Sequence, residues 1–171
     1  MSAIRNCPRP VVSVVQGPCA GIGVSMALAA DLVVASDKAF FLLAFANIGL
    51  MPDGGATALV AASIGRARAM RMALLAERVP ASDAFDWGLV SHLASAGELD
   101  SEVEALVTKL ATGPSLAYGS TKTAVNDATL GELNEAFQRE RYGQTSLMWT
   151  DDFAEGVASF RERRTPDFTG S

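Results

Sequence analysis

The sequence has 171 residues, 49% of them apolar and 19% charged, which is enough apolar material for a folded core and excludes a disordered chain. Its net charge of −5, without any basic run, argues against nucleic acid as a partner. The longest nearly apolar run lies between Lys38 and Pro52 and is too short for a membrane span. No secretory signal precedes Pro8, so we expect a cytoplasmic protein.

Few side chains are suited to metal binding or to a nucleophilic triad. Cys7 and Cys19 form neither a disulfide framework nor a metal-binding set, so no metal is expected. His92 is the only histidine and falls on a predicted strand, where a packing or surface role is the ordinary one. Ser25 therefore lacks the partners of a Ser-His-Asp triad.

The first predicted element is a β-branched segment over residues 10–16. Because nearly all of its side chains are apolar, we expect a central strand that is covered on both faces. A glycine-containing turn follows over residues 17–23, and the small side chains of residues 24–30 predict a helix packed closely on the sheet. Two further strands are predicted over residues 31–36 and 39–43.

The rest of the chain is predominantly helical. An irregular apolar segment over residues 45–51 leads into the turn Pro52-Asp53-Gly54-Gly55, and a short strand is predicted over residues 89–93. Helices are predicted over residues 54–63, 65–76, 81–87, 98–112, 114–127, 130–147 and 151–163. This order of elements predicts an α/β fold with a helical C-terminal region.

The turn from Gly17 to Gly23 is the first candidate site. Glycines allow close backbone approach, and the first N–H groups of the following helix can bind an anion or an oxyanion. The turn matches neither a phosphate-binding P-loop nor G-x-G-x-x-G, in which Met26 occupies the third glycine position. Simple packing of small residues between helix and sheet explains the pattern equally well.

The second candidate is Asp53, one of only three acidic residues before Glu77. It lies between an apolar segment and a predicted helix. Asp is a good N-cap, so the spacing alone favours a capping role. The alternative is a single carboxylate that faces an apolar pocket and moves a proton.

Two segments together resemble the enoyl-CoA hydratase/isomerase (crotonase) superfamily. One is the strand at residues 10–17 with the segment from Gly21 to Ala35 that follows it, and the other is Ile48-Gly-Leu-Met-Pro-Asp-Gly-Gly55. The similarity continues through Gly65-Arg-Ala-Arg and Leu89-Val90 and ends with residues 155–168. It therefore covers nearly the whole chain.

The resemblance implies a fold and a reaction type. Crotonases stack ββα units into a spiral, and their C-terminal helices form trimers. They bind acyl-CoA thioesters as substrates, without a further cofactor, and stabilise an enolate with two backbone N–H groups. By position, the N–H of Ile22 is one of the two, and its neighbours Gly21 and Gly23 are expected to contact the substrate.

The residues at two active-site positions depart from the hydratases of the family, which activate water with two glutamates. The matching positions here hold Ser25 and Phe45, which we expect to contact substrate without acting as acid or base. Asp53 matches the proton-shuttling aspartate of family isomerases, so the resemblance implies a double-bond isomerase of fatty-acid or aromatic-acid catabolism. Phe160 and Arg163 are expected to reach the coenzyme A pocket of a neighbouring subunit.

The family's N-terminal region, with the first strands, much of the coenzyme A cleft and a second oxyanion donor, has no counterpart in the sequence. We therefore expect a spiral that is incomplete at the N-terminus over residues 1–93 and a helical trimerisation region over residues 94–171. A homo-oligomer, trimeric or hexameric, is expected. Two alternatives stay open: an enoyl-CoA hydratase, and a catalytically silent module that needs a partner or an oligomer.

Overall fold

The computed structural model describes residues 1–171 and contains eight α-helices and six short strands. The helices are α1 Ser2–Arg5, α2 Ile22–Leu28, α3 Ala56–Leu75, α4 Ala81–Trp87, α5 Leu99–Ala111, α6 Ser115–Thr129, α7 Leu133–Leu147 and α8 Asp151–Glu162. The strands are β1 Val12–Val15, β2 Pro18–Ala20, β3 Leu32–Ser36, β4 Phe40–Leu42, β5 Val79–Pro80 and β6 His92–Ala94. A 3-10 turn, Ala44–Ile48, precedes α3.

The strands form two three-stranded sheets, with the orders β1-β3-β6 and β2-β4-β5. The first sheet is entirely parallel, whereas in the second β2 and β4 are parallel and β5 is antiparallel to β4. The chain enters the first sheet, crosses to the second and returns through a helix, first as β1-β2-α2 and then as β3-β4-α3. These successive ββα units confirm the α/β fold predicted from the sequence.

Within the chain, β1 is an edge strand. It pairs with β3 alone, and Val14 is 41% exposed although Val15 is buried. The residues of this chain therefore cover β1 only in part, and its coverage on both faces stays a prediction. By contrast, β3 pairs on both sides and buries Val33, Val34 and Ala35.

Most of the predicted helices are present within a few residues of their expected bounds. The two helices predicted around Gly65 form one element, α3, which is kinked where Gly65 adopts φ 76° and ψ 164°. The sequence did not predict α1, β2 or β5, because each is at most four residues long and carries no periodicity. None of the helices combines the length and the hydropathy that a membrane crossing requires.

The main core lies between the second sheet and helices α2, α3 and α4, with Phe41, Leu43 and Met72 almost fully buried. Helix α7 joins this core, because Leu133 is buried in it and Phe137 packs against it. A smaller cluster of Val34, Ala94 and Leu99 lies on the other side of the first sheet. Residues 94–171 therefore share a core with residues 1–93, and the proposed division at residue 93 stays a prediction.

Candidate active site

The turn that carries Asp53 lies between α2 and α7. Gly54 and Gly55 adopt φ 67° and 89°, a left-handed conformation that other residues enter only with strain. A β-carbon on Gly54 would overlap the side chain of Ile22, and one on Gly55 would lie 2.9 Å from Phe137 Cε1. Both glycines therefore suit the left-handed conformation of the turn, and they let the turn approach α2 at Gly54 and α7 at Gly55.

Three hydrogen bonds define the position of Asp53. The Ser25 hydroxyl, which is fully buried, donates to the Asp53 carbonyl oxygen at 2.7 Å. The Gln144 side-chain amide donates to Asp53 Oδ2 at 3.0 Å. The Ala56 N–H donates to the Asp53 carbonyl at 3.2 Å. The other carboxylate oxygen, Oδ1, is buried and has no hydrogen-bond partner within the chain. The carboxylate is thus held through one oxygen, whereas the other makes no hydrogen bond within the chain.

Asp53 does not cap helix α3. The N-cap position belongs to Gly55 and has no side-chain cap of its own. Glu140 on α7, only 1% exposed, accepts the Gly55 N–H at 2.6 Å, the Thr57 N–H at 2.9 Å and the Thr57 hydroxyl at 2.6 Å. The capping alternative is therefore wrong, because a carboxylate from another helix fills that role and frees the Asp53 side chain.

Sequence reasoning missed Glu140 and Gln144, the two residues that organise this turn from a distance. They lie 85 and 91 positions from their partners Gly55 and Asp53, so no local motif connects them. The available signal was the helical periodicity of α7, whose buried positions are Leu133, Ala136, Glu140 and Gln144. A glutamate and a glutamine within an otherwise apolar stripe mark buried polar groups that need partners.

The glycine turn lies beside the Asp53 turn. Gly21 has φ 55° and donates its N–H to the Leu42 carbonyl at 2.8 Å, and a β-carbon on it would lie 3.9 Å from Phe45 Cζ. Ile22 is the first residue of α2, so its N–H has no acceptor one turn earlier in the helix. Its side chain lies beside Gly54, and the residue is 47% exposed. The structure therefore places Ser25 and Ile22 against the Asp53 turn, and it places Phe45 beside Gly21, the residue before Ile22.

Cys19 lies beneath this turn, with its sulfur 3.8 Å from the position that a β-carbon on Gly23 would take. Burial raises the pKa of the Cys19 thiol to about 11, because the apolar surroundings disfavour the thiolate. The thiol is therefore neutral at physiological pH and unsuited to act as a nucleophile. Nowhere in the chain do three or more acidic, histidine or cysteine side chains converge as a metal site would require.

Phe160 and Arg163 lie apart from this assembly, at the C-terminal end of α8. The N-terminal part of α8 packs on the 3-10 turn, where a β-carbon on Gly156 would lie 2.5 Å from Ile48 Cα. Phe160 itself is 77% exposed and Arg163 is exposed. The structure of one chain therefore does not bring these two residues to Asp53, and their proposed contact with a neighbouring subunit stays a prediction.

Comparison with known proteins decides the family. The model of the family described as enoyl-CoA hydratase/isomerase matches residues 1–171. The chain belongs to the enoyl-CoA hydratase/isomerase family. This confirms the family that the glycine turn and the Pro-Asp-Gly-Gly turn indicated.

Several members of the enoyl-CoA hydratase/isomerase family are similar over nearly the whole chain. A probable enoyl-CoA hydratase of Rhodobacter capsulatus is 41% identical over 99% of this chain and 66% of its own length. The 1,2-epoxyphenylacetyl-CoA isomerase of Escherichia coli is 38% identical over 98% of this chain and 64% of its own length. The chain thus spans slightly less than two thirds of these relatives.

A solved structure confirms the crotonase fold. The enoyl-CoA hydratase of Mycobacterium avium subsp. paratuberculosis superposes with a TM-score of 0.96 and is 57% identical. The match covers 98% of this chain and 68% of that one. Relatives named as hydratases and as isomerases are both similar to this chain, so the reaction must be argued from the site itself.

Proposed function

We propose that the chain carries the proton-transfer site of an acyl-CoA double-bond isomerase. Asp53 removes a proton from C2 of a 3-enoyl thioester and returns it at C4, so that the double bond moves from C3 to C2. The Ile22 N–H stabilises the thioester oxygen while the enolate exists. One carboxylate and an oxyanion donor are sufficient for this chemistry, which uses the coenzyme A thioester as substrate and no separate cofactor.

The observation that carries the proposal is the state of the Asp53 carboxylate. Oδ2 is held by Gln144, whereas Oδ1 is buried without a partner, and Glu140 provides the capping that would otherwise occupy the carboxylate. A base must keep one oxygen open to accept a proton and must be held in place to return it. Gln144 holds Asp53 in place through Oδ2, and Oδ1 makes no hydrogen bond that would compete for the proton.

Hydration of a 2-enoyl thioester is the second candidate, supported by the similarity to proteins named enoyl-CoA hydratase. A hydratase needs groups that position a water and move its proton. The buried Ser25 hydroxyl donates to the Asp53 carbonyl, and the Phe45 side chain carries no polar atom. Water activation would therefore depend on Asp53 alone, which favours isomerisation.

The decisive experiment supplies the purified protein with a 3-enoyl-CoA and follows formation of the conjugated 2-enoyl-CoA. Asp53→Asn should lower kcat by about 100-fold or more, because positioned general bases contribute at least that factor. Asp86→Asn, at an exposed position on α4, is the matched control and should not change kcat. Hydration of 2-enoyl-CoA that survives Asp53→Asn would contradict the residue assignment, and a folded protein without either activity would favour the silent module.

We also propose that the protein is a homo-oligomer, a trimer or a hexamer, through its C-terminal helices. Leu116, Trp149 and Phe160 are largely exposed on or beside α6 and α8. Large apolar side chains that a single chain leaves exposed can be covered at an interface between copies. Sedimentation equilibrium tests this directly: a monomer at micromolar concentration would contradict the proposal, and Trp149→Ser should weaken any oligomer that forms.

A further inference from the structure

We propose that Gln144 is a positioning residue that selects which oxygen of Asp53 handles the proton. This inference rests on the proposed function, because it assigns a role within the same site. The side-chain hydrogen bonds of Gln144 go to the Met51 N–H and to Asp53 Oδ2, so the role assigned to Gln144 is exerted through Asp53.

Both ends of the Gln144 amide are engaged. Its Oε1 accepts the Met51 N–H at 3.2 Å, and its Nε2 donates to Asp53 Oδ2 at 3.0 Å, with the residue only 7% exposed. The opposite orientation of the amide would set an NH₂ group against the Met51 N–H and an oxygen against the carboxylate. The Met51 N–H therefore orients the amide so that a donor faces Asp53.

The two carboxylate oxygens of Asp53 therefore differ in their hydrogen bonding. Oδ2 accepts a hydrogen bond from Gln144, whereas Oδ1 is buried and accepts none. A shuttle that collects a proton at C2 and delivers it at C4 must keep the same oxygen pointed at the substrate between the two steps. By holding Oδ2, Gln144 prevents the carboxylate from rotating and assigns both steps to Oδ1.

Helix α7 holds Gln144 at the required place. Glu140, one turn earlier, ties α7 to the first residues of α3 through Gly55 and Thr57. Gly143 lets Met51 pack directly on α7, because a β-carbon there would overlap the Met51 sulfur. The Glu140 hydrogen bonds and the contact of Gly143 with Met51, on adjacent turns of α7, thus fix the distance and the orientation of this helix relative to Asp53.

The first test compares Gln144→Met with Gln138→Met, which makes the same change at an exposed position of α7. We expect Gln144→Met to lower kcat about tenfold with little change in KM, since a hydrogen bond to a charged group is lost and no substrate contact is removed. The control should leave both parameters unchanged. Equal kcat values for Gln144→Met and wild type, with Asp53→Asn inactive, would overturn this inference while leaving the proposed function intact.

Gln144→Glu isolates the contact with Asp53, because the new side chain keeps an oxygen for the Met51 N–H and replaces the donor by a second carboxylate. At neutral pH the two charges repel and kcat falls. The two carboxyls then share one proton above the ordinary carboxyl range because like charges lie side by side, and the shared proton restores a hydrogen bond between them. The ratio of variant to wild-type kcat should therefore rise as the pH falls, and a ratio independent of pH would overturn the inference.

A final measurement does not depend on turnover. The side-chain amide resonance of Gln144, assigned by its loss in Gln144→Met, should shift in the ¹⁵N spectrum when Asp53 is changed to Asn. If the wild-type protein shows no turnover, the proposed function fails, yet a shifted resonance still supports the orientation of Asp53 by Gln144. An unshifted resonance would overturn it.

Discussion

The Asp53 turn and the exposed end of α8 both carry site residues predicted from the sequence, and the two regions are stabilised by opposite means. The turn is half-buried between α2 and α7 and is held by Ser25, Glu140 and Gln144. The end of α8 is held at the surface by ion pairs of Arg164 with Glu155 and Glu162. The first region is assembled by one chain, whereas Phe160 and Arg163 on the second face solvent. A buried polar network should tolerate change poorly, and a surface network should respond chiefly to pH and salt.

The largest effect should come from Glu140→Leu. This change leaves the Gly55 N–H, the Thr57 N–H and the Thr57 hydroxyl without their acceptor, and unsatisfied buried donors cost about 1–3 kcal/mol each. We expect the free energy of unfolding to fall by about 3–5 kcal/mol, measured by urea denaturation. Glu104→Leu, at an exposed position of α5, should change it by less than about 0.5 kcal/mol. A small effect of Glu140→Leu would mean that water replaces the carboxylate and that the turn is open.

A smaller loss is expected for Gly55→Ala, with Gly88→Ala as the matched control. The two glycines have nearly the same backbone conformation, φ 89° and ψ 3° for Gly55 and φ 84° and ψ 18° for Gly88. A β-carbon at Gly88 meets nothing closer than 3.6 Å, so that variant measures the conformational cost alone, about 1 kcal/mol.

Gly55→Ala adds overlap with Phe137 and Leu133, which should bring its total cost to about 3 kcal/mol. Urea denaturation of both variants gives the two losses in the free energy of unfolding. The difference between them is the contribution of close packing between the Asp53 turn and α7. Equal costs for the two variants would show that α7 can move away from the turn, and would remove the basis for a rigid site.

Local residues were enough to predict part of this site and not the rest. The glycine turn, the Asp53 turn and the helices around them follow from short-range signals such as glycine placement and periodicity. That Asp53 is free of capping could not be predicted, because the residue that caps α3 is Glu140, far along the chain. The same distance hid Gln144, although both residues occupy buried positions of a regular helix. The neighbours of β1 in the sheet could not be predicted either, because the composition of a strand does not identify the strands that pair with it.

The surface network at the end of α8 should be broken by acid. Hydrogen bonds from Arg164 and the Asp167 N–H hold the pKa of Glu155 near 2, below its ordinary value of 4.5. A depressed pKa in the folded state means that the stabilisation is complete above about pH 4.5 and is lost as the pH falls toward 2. Hydrogen exchange at the Asp167 amide, which donates to Glu155 at 2.9 Å, reports this directly. Arg164→Gln should expose that amide already at neutral pH, and protection that persists in this variant would show that the tail is held by other contacts.

The smallest effect, and the one with an opposite sign, is expected for Arg163→Gly. Arg163 ends α8 in a left-handed conformation with φ 57°, which costs a side-chain-bearing residue more than it costs glycine. Glycine also raises the entropy of the unfolded chain, which offsets part of this gain. The free energy of unfolding should therefore rise by about 0.5 kcal/mol, measured by urea denaturation. If Arg163 contacts coenzyme A in a neighbouring subunit, the same variant should raise KM for an acyl-CoA. A more stable protein with unchanged KM would show that the end of α8 has no part in substrate binding, and the site would then be confined to the surroundings of Asp53.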